Sequence, residues 1–155
     1  GGKQVPHAGL VNLETGPGHA MLRINVDAPG YFMRNLLEYN WLAVTGACLM
    51  VERAKFMQVD GFAESLPVAY NDVDFGMRLH AAGFYNVVVP AVHLIHHESV
   101  SRGSDHMDPE KLSRLKREMR ALYARNPRYF QYDPFFNINF HPNGINFDIP
   151  ACRVN

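Results

Sequence analysis

Cysteine is nearly missing: Cys48 and Cys152 are the only two in 155 residues, far apart and in no CxxC spacing. That argues against both a disulfide framework and a cysteine-built metal site, and a reducing, cytoplasmic setting is expected. An excess of charge is missing too. Fifteen Lys+Arg balance fifteen Asp+Glu, so no nucleic-acid partner held by bulk charge is expected. No apolar run approaches the roughly 20 residues of a membrane span. The opening GGKQVPHAG lacks the charged-then-apolar layout of a secretory signal. There is no repeat, no low-complexity tract, and no phosphate-binding GxGxxG or GxxxxGK(S/T) loop. What remains is a globular composition, 47% hydrophobic and 19% charged, enough for one domain with a core and too apolar for disorder. Histidine is over-represented: there are eight, and His93, His96 and His97 fall within five positions. Imidazole is a common metal ligand and proton carrier near neutral pH.

Residues 3–34 are dense in Gly and Pro, which implies loops and short strands, with 5–13 and 20–26 each able to supply a strand. Leu36–Asn40 suggests a short helix. Ala43–Val51 is apolar and partly β-branched and reads as a buried strand with Gly46 inside it. Glu52–Val59 reads as a helix ended by Asp60-Gly61, with Phe62 tucked under its end. A longer helix begins at Asn71, where Asn71 or Asp72 can cap it and Asp72 and Asp74 complement the dipole. Phe75, Leu79 and Ala82 give it an apolar face, and Gly83 closes it. Asn86–Pro90 reads as a strand covered on both faces, and Val92–Ile95 as another extended piece. Asp108-Pro109-Glu110 starts a second long helix, stopped by Asn126-Pro127. Leu112, Leu115, Met119 and Leu122 give its apolar face and six cations its remainder, most simply a solvated face, with contact to a membrane surface as the alternative. The aromatic tail from Tyr129 to Asn155 has little periodicity and is expected to wrap on the domain as an extended arm. Helices alternating with strands give an α/β class with a mixed sheet flanked by helices. The strands are few, so the chain reads as part of a larger α/β domain.

The sharpest constellation is Tyr70-Asn71-Asp72-Val73-Asp74 with His96-His97-Glu98. A helix start beside a strand end is where open α/β sheets collect ligands. A carboxylate there can act as a general base, and a histidine can hold a divalent cation. Asn-Asp before a helix is also ordinary capping, and the two roles are compatible. Arg78 is expected to pair with Asp74 at i+4. Trp41 can stack on a sugar ring or sit in the core. Thr45-Gly46-Ala47 can admit a substrate close to the backbone or serve packing. Ser99, Ser101 and Ser104 have histidines nearby, but sequence proximity is not triad geometry.

Together the runs TGACLMVERAKFMQVDGF, LPVAYNDVDFGMRLHAAGF and PAVHLIHHESVSRG resemble the family 2 glycosyltransferases, inverting nucleotide-sugar enzymes of GT-A fold. HAG at 7–9, APGYF at 28–32 and DPFFNINF at 133–140 look like the bacterial members that build rhamnose-containing and other surface polysaccharides. The resemblance implies that Asp72 is the general base that takes the acceptor hydroxyl proton. Asn71 stands where the first acid of the family's motif often stands. Asp74 helps to shape the acceptor pocket, as do Thr45, Gly46, Ala47 and Trp41. His96, with His97 as the alternative, would complete a Mg²⁺ or Mn²⁺ site on the donor diphosphate. The partners implied are a nucleotide-sugar donor and a saccharide acceptor, at a cytoplasmic location or the inner face of the membrane.

The family's donor half, with its DxD motif and the strands that follow it, has no counterpart ahead of Lys3. The resemblance therefore implies that residues 3–128 are the C-terminal half of a GT-A domain and that 129–155 are a tail packed on it. Alone, such a piece is expected to be inactive, to hold no metal, and to self-associate through bared strand edges. Two other classes remain open: a non-catalytic saccharide-binding or interaction module, and a metal-dependent hydrolase built on Asp72 and His96. The hydrolase is short of ligands, since a catalytic zinc takes three from the protein.

Overall fold

The computed structural model describes residues 8–25, 28–92 and 108–150. Strands β1 (Leu10–Leu13) and β2 (Gly16–His19) form a hairpin with Leu10 opposite His19 and Leu13 opposite Gly16. Strand β3 (Tyr39–Trp41) pairs with β4 (Asn86–Val88), Tyr39 opposite Val88 and Trp41 opposite Asn86. A bridge from Leu10 to Ala43 joins the two pairs. Helices α1 (Arg53–Gln58), α2 (Asn71–Ala81) and α3 (Pro109–Arg125) complete a mixed α/β structure.

The three α-helices lie where the sequence signals put them, β1 falls within 5–13 and β4 within 86–90, although Val87 and Val89 are exposed and β4 is not covered on both faces; the other expected strands are not formed among the described residues. Asp108 caps α3 by accepting from the Glu110 and Lys111 N–H groups, with Pro109 in the first turn. Among the described residues every strand pair is antiparallel, which corrects the expected mixed sheet. The Leu36–Asn40 helix is also corrected, because β3 begins at Tyr39. The strand expected over Ala43–Val51 stops being buried after Ala43. Leu49 and Val51 pack sideways on Val59, Phe75 and Leu79. The strand expected over 20–26 gives way to β2, because Met21 and Arg23 take left-handed φ values of 55° and 62° that end an extended run. Of Val92–Ile95 only Val92 is described, and it lies outside any strand.

Helix α2 is buried on two sides instead of one. Phe75 and Leu79 join Val59 on one side. Val73 and Met77 join Leu42, Ala43, Leu66 and Leu122 on the other. Ala82, assigned to the apolar face, is exposed. Between these sides Gly76 lets the helix touch the chain after β3: an added Cβ would sit 2.7 Å from Ala43 Cβ and 2.9 Å from the Leu42 carbonyl. A mid-helix glycine costs about 1 kcal/mol in chain entropy, and here the close approach offsets it. Asn86 braces the same joint, donating to the Leu42 carbonyl at 2.9 Å and the Gly76 carbonyl at 3.0 Å.

Asp74, fully buried on α2, ties the helices together. Its Oδ2 accepts from Arg78 Nε at 2.8 Å, the expected i+4 pair. Its Oδ1 accepts from Arg125 Nε at 3.0 Å and Asn126 Nδ2 at 2.8 Å, at the end of α3. Arg78 also donates to the carbonyls of Val59 and Gly61, so the loop after α1 is held by the same carboxylate's partner.

The segment after α3 packs on the N-terminal hairpin. Phe147 is buried beside Trp41, with ring centroids 6.0 Å apart, and stacks on Tyr31 at 5.6 Å. Asn12 on β1 is the clasp: its backbone N–H donates to Asp133 Oδ2 at 2.9 Å, and its side-chain amide donates to the Tyr129 and Tyr132 carbonyls. The Tyr123 hydroxyl, pushed up to about 12 chiefly by burial, donates to Asn12 Oδ1 at 2.6 Å. Burial also pushes the Asp133 carboxyl up to about 6, outweighing its two backbone N–H donors and Arg34.

Two predictions follow from these buried carboxyls. Asp74→Ala takes the carboxylate from the Arg78 guanidinium, leaving it only the Val59 and Gly61 carbonyls, and leaves the Asn126 amide only the Leu122 carbonyl. We expect a loss of about 3 kcal/mol, at the low end for a broken buried pair because Arg125 can turn to solvent; urea unfolding with an unchanged m-value measures it. Asp133 binds its proton more tightly folded than unfolded, so its contribution is fully present below about pH 4 and is lost as pH climbs to about 6. Relative to Asp133→Asn, the wild-type chain should lose about 3 kcal/mol across that window. A pH-independent difference between the two unfolding free energies contradicts this.

Candidate functional site

Helix α2 begins without a side-chain cap. Tyr70 occupies the capping position in the left-handed region, φ 61°, and Asn71 is already the first helical residue. The expected cap by Asn71 or Asp72 is therefore corrected, and the Asp72 carboxylate is used elsewhere. Its Oδ2 accepts the Gly46 N–H at 2.8 Å, and its Oδ1 accepts the N–H of the next residue, Val73, at 2.9 Å. Gly46 lies in a turn closed locally by Thr45, whose hydroxyl oxygen accepts the Ala47 N–H at 3.3 Å. The turn lies at the helix mouth because Gly76, one turn further on, seats α2 directly on Leu42 and Ala43.

This brings Asp72 together with Thr45, Gly46 and Ala47, with Asn71 beside it. Asp72, Asn71 and Thr45 are half-buried, and Gly46 and Ala47 are exposed. Each Asp72 oxygen accepts one N–H and keeps a further lone pair, so the group is fixed in direction and still able to take a proton from a hydroxyl.

Two residues assigned to the acceptor side are core residues. Trp41 is 1% exposed, beneath Gly9 and against Phe147, so its faces are closed to a sugar. A β-carbon on Gly9, whose φ is +148°, would come 2.3 Å from the indole, so the glycine is what lets the chain cross it. Asp74 is sealed among Arg78, Arg125 and Asn126 and does not line an acceptor pocket. It acts on the site indirectly, by fixing the helix that carries Asp72. Sequence reasoning missed Arg125 and Asn126 in this role; Asn126 before Pro127 reads locally only as a helix stop.

His96 and His97 lie outside the described residues, as do His93, Ser99, Ser101, Ser104 and Cys152. Among the described residues no three His, Cys, Asp or Glu side chains converge as a cation site would require. A hollow of about 310 Å³ opens between the β1–β2 turn and α3, and none of the candidate residues lines it.

No protein-family model matches the chain, and no solved structure matches it. Curated proteins do. It is 41% identical over 152 residues, 97% of its length, to the uncharacterized protein y4gI of Sinorhizobium fredii. It is 40% identical over 105 residues, 65% of its length, to the O-antigen biosynthesis protein RfbC of Myxococcus xanthus. It is 45% identical over 65 residues, 42% of its length, to the N-acetylglucosaminyl-diphospho-decaprenol L-rhamnosyltransferase of Mycobacterium tuberculosis. The chain spans 17%, 8% and 20% of the lengths of these relatives. At this coarse level its similarity is to glycosyltransferase-like proteins of polysaccharide synthesis.

Proposed function

We propose that this chain forms the acceptor side of an inverting, family 2-like glycosyltransferase of GT-A fold, working in bacterial surface-polysaccharide synthesis. The observation that carries the reading is the Asp72 carboxylate, held 2.8 Å from the Gly46 N–H at the open mouth of α2. The names of the rhamnosyltransferase and O-antigen relatives support the reaction class.

In this reading an acceptor sugar lies over the Thr45–Ala47 turn. One of its hydroxyls gives its proton to Asp72 as the oxygen attacks the anomeric carbon of a nucleotide-sugar, opposite the leaving diphosphate. The Gly46 and Val73 N–H groups hold the base in place, so little reorganisation is needed at the moment of transfer. A Mg²⁺ or Mn²⁺ ion, with His96 or His97 as its ligand from this chain, would neutralise charge developing on the diphosphate. In this reading the nucleotide-binding half with its DxD motif is not among these 155 residues, so this chain alone is inactive and holds no nucleotide.

Asp72→Asn in the longer polypeptide keeps the shape of the side chain and removes the base. It should lower turnover by about 10²–10⁴-fold with donor binding retained. Full activity in that variant overturns the assignment of Asp72, and would leave a saccharide-binding module as the better account. Calorimetry of the 155-residue chain with UDP- and dTDP-sugars plus Mn²⁺ should give no binding; micromolar affinity contradicts the division of labour.

A further inference from the structure

Helix α3 is amphipathic, with a narrow buried side and a wide polar face. Its buried residues are Glu118 and Leu122, with Leu112, Leu115 and Met119 half-buried beside them. On the outside, Ser113, Lys116, Arg117, Arg120 and Ala124 are all exposed. Their spacing of three and four places them on one stripe. Other cations of the helix are spent inward: Arg125 on Asp74 at 3.0 Å, Arg114 on Glu118 at 3.8 Å. Lys116, Arg117 and Arg120 form no ion pair with any described residue; the acid on the same face is Glu110, exposed at the helix's N-terminal end, one turn before Ser113.

An apolar edge adjoins the stripe. Arg120 lines the hollow of about 310 Å³, whose walls include Met119, Tyr123 and Phe130. Phe130 is 59% exposed, with its ring against Tyr123 at 5.3 Å. Glu14 across the hollow is the one acid in its lining. Cations in a row with large rings at one end match the layering of a bilayer interface, where phosphates overlie the acyl boundary. Among the described residues no helix is long and apolar enough to cross a membrane, so contact would be at the surface.

We propose that the outer stripe of α3 docks on an anionic bilayer surface, with Lys116, Arg117 and Arg120 against lipid headgroups and Phe130 set into the interfacial layer. Each cation near such a surface strengthens binding by about fivefold and three by about a hundredfold, an attraction that salt screens. The proposal is independent of the transferase reading, and its test contains no sugar.

The test is co-sedimentation of the purified chain with vesicles of phosphatidylcholine, alone or mixed with phosphatidylglycerol. Binding should require phosphatidylglycerol and fall as salt rises. Lys116→Glu, Arg117→Glu and Arg120→Glu together should weaken it at least a hundredfold, and Phe130→Ser about tenfold. Should the reversed set fail to fold by circular dichroism, the glutamine set at the same three positions must weaken binding in the same direction. No binding to the mixed vesicles, equal binding to neutral ones, full binding by the charge variants, or displacement by duplex DNA at equal charge overturns the proposal.

Discussion

One buried carboxylate organises the centre of this molecule. Asp74 has no access to water, so its charge is tolerable only with every oxygen engaged by donors. Those donors come from different places: Arg78 on its own helix, Arg125 and Asn126 at the end of α3. Arg78 then reaches on to the loop after α1. The end of α3, the middle of α2 and that loop are thus set relative to one point. Hydrophobic contact alone is non-directional and would allow these elements to slide.

With α2 fixed, the candidate site follows from two close approaches. Gly76 removes the side chain that would hold the helix away from Ala43, and Asp72 then meets the Gly46 N–H one turn earlier. The two acids of the Asp72-Val73-Asp74 motif have opposite fates because they lie on different sides of the helix. Asp72 opens toward the turn and keeps lone pairs for chemistry, whereas Asp74 turns inward and is consumed by structure. A motif that looks symmetrical on paper is split by the geometry of a helical turn.

How much was legible depended on the range of the interactions that decide each feature. Helix signals are local, so Asp108-Pro109-Glu110 marked α3 and the Asp74–Arg78 pair was visible at i+4. The Thr45–Ala47 turn and Asp72 were singled out separately, and the fold places them in contact. Strands of three or four residues carry little pattern, and their positions are set by partners far along the chain. Hence β2 arose in a stretch that reads as a turn, and of Ala43–Val51 only Ala43 is paired, by its bridge to Leu10. Trp41 was ambiguous because stacking and burial ask for the same residue; the close crossing of Gly9 decided for burial. Nothing local announces that Asn126 would cap a carboxylate 52 positions away.

The Asn12 clasp bears on how the chain is made. Its partner Asp133 lies 121 residues downstream, and Phe147, which covers Trp41, lies further still. During synthesis the β1–β2 hairpin is made well before the segment that covers it, so its apolar side stays bare until residues 133–147 have followed. Contacts of such long separation close slowly. Docking of the segment after α3 onto β1 and β2 is therefore a slow, long-range step, and the covering of Trp41 waits on it.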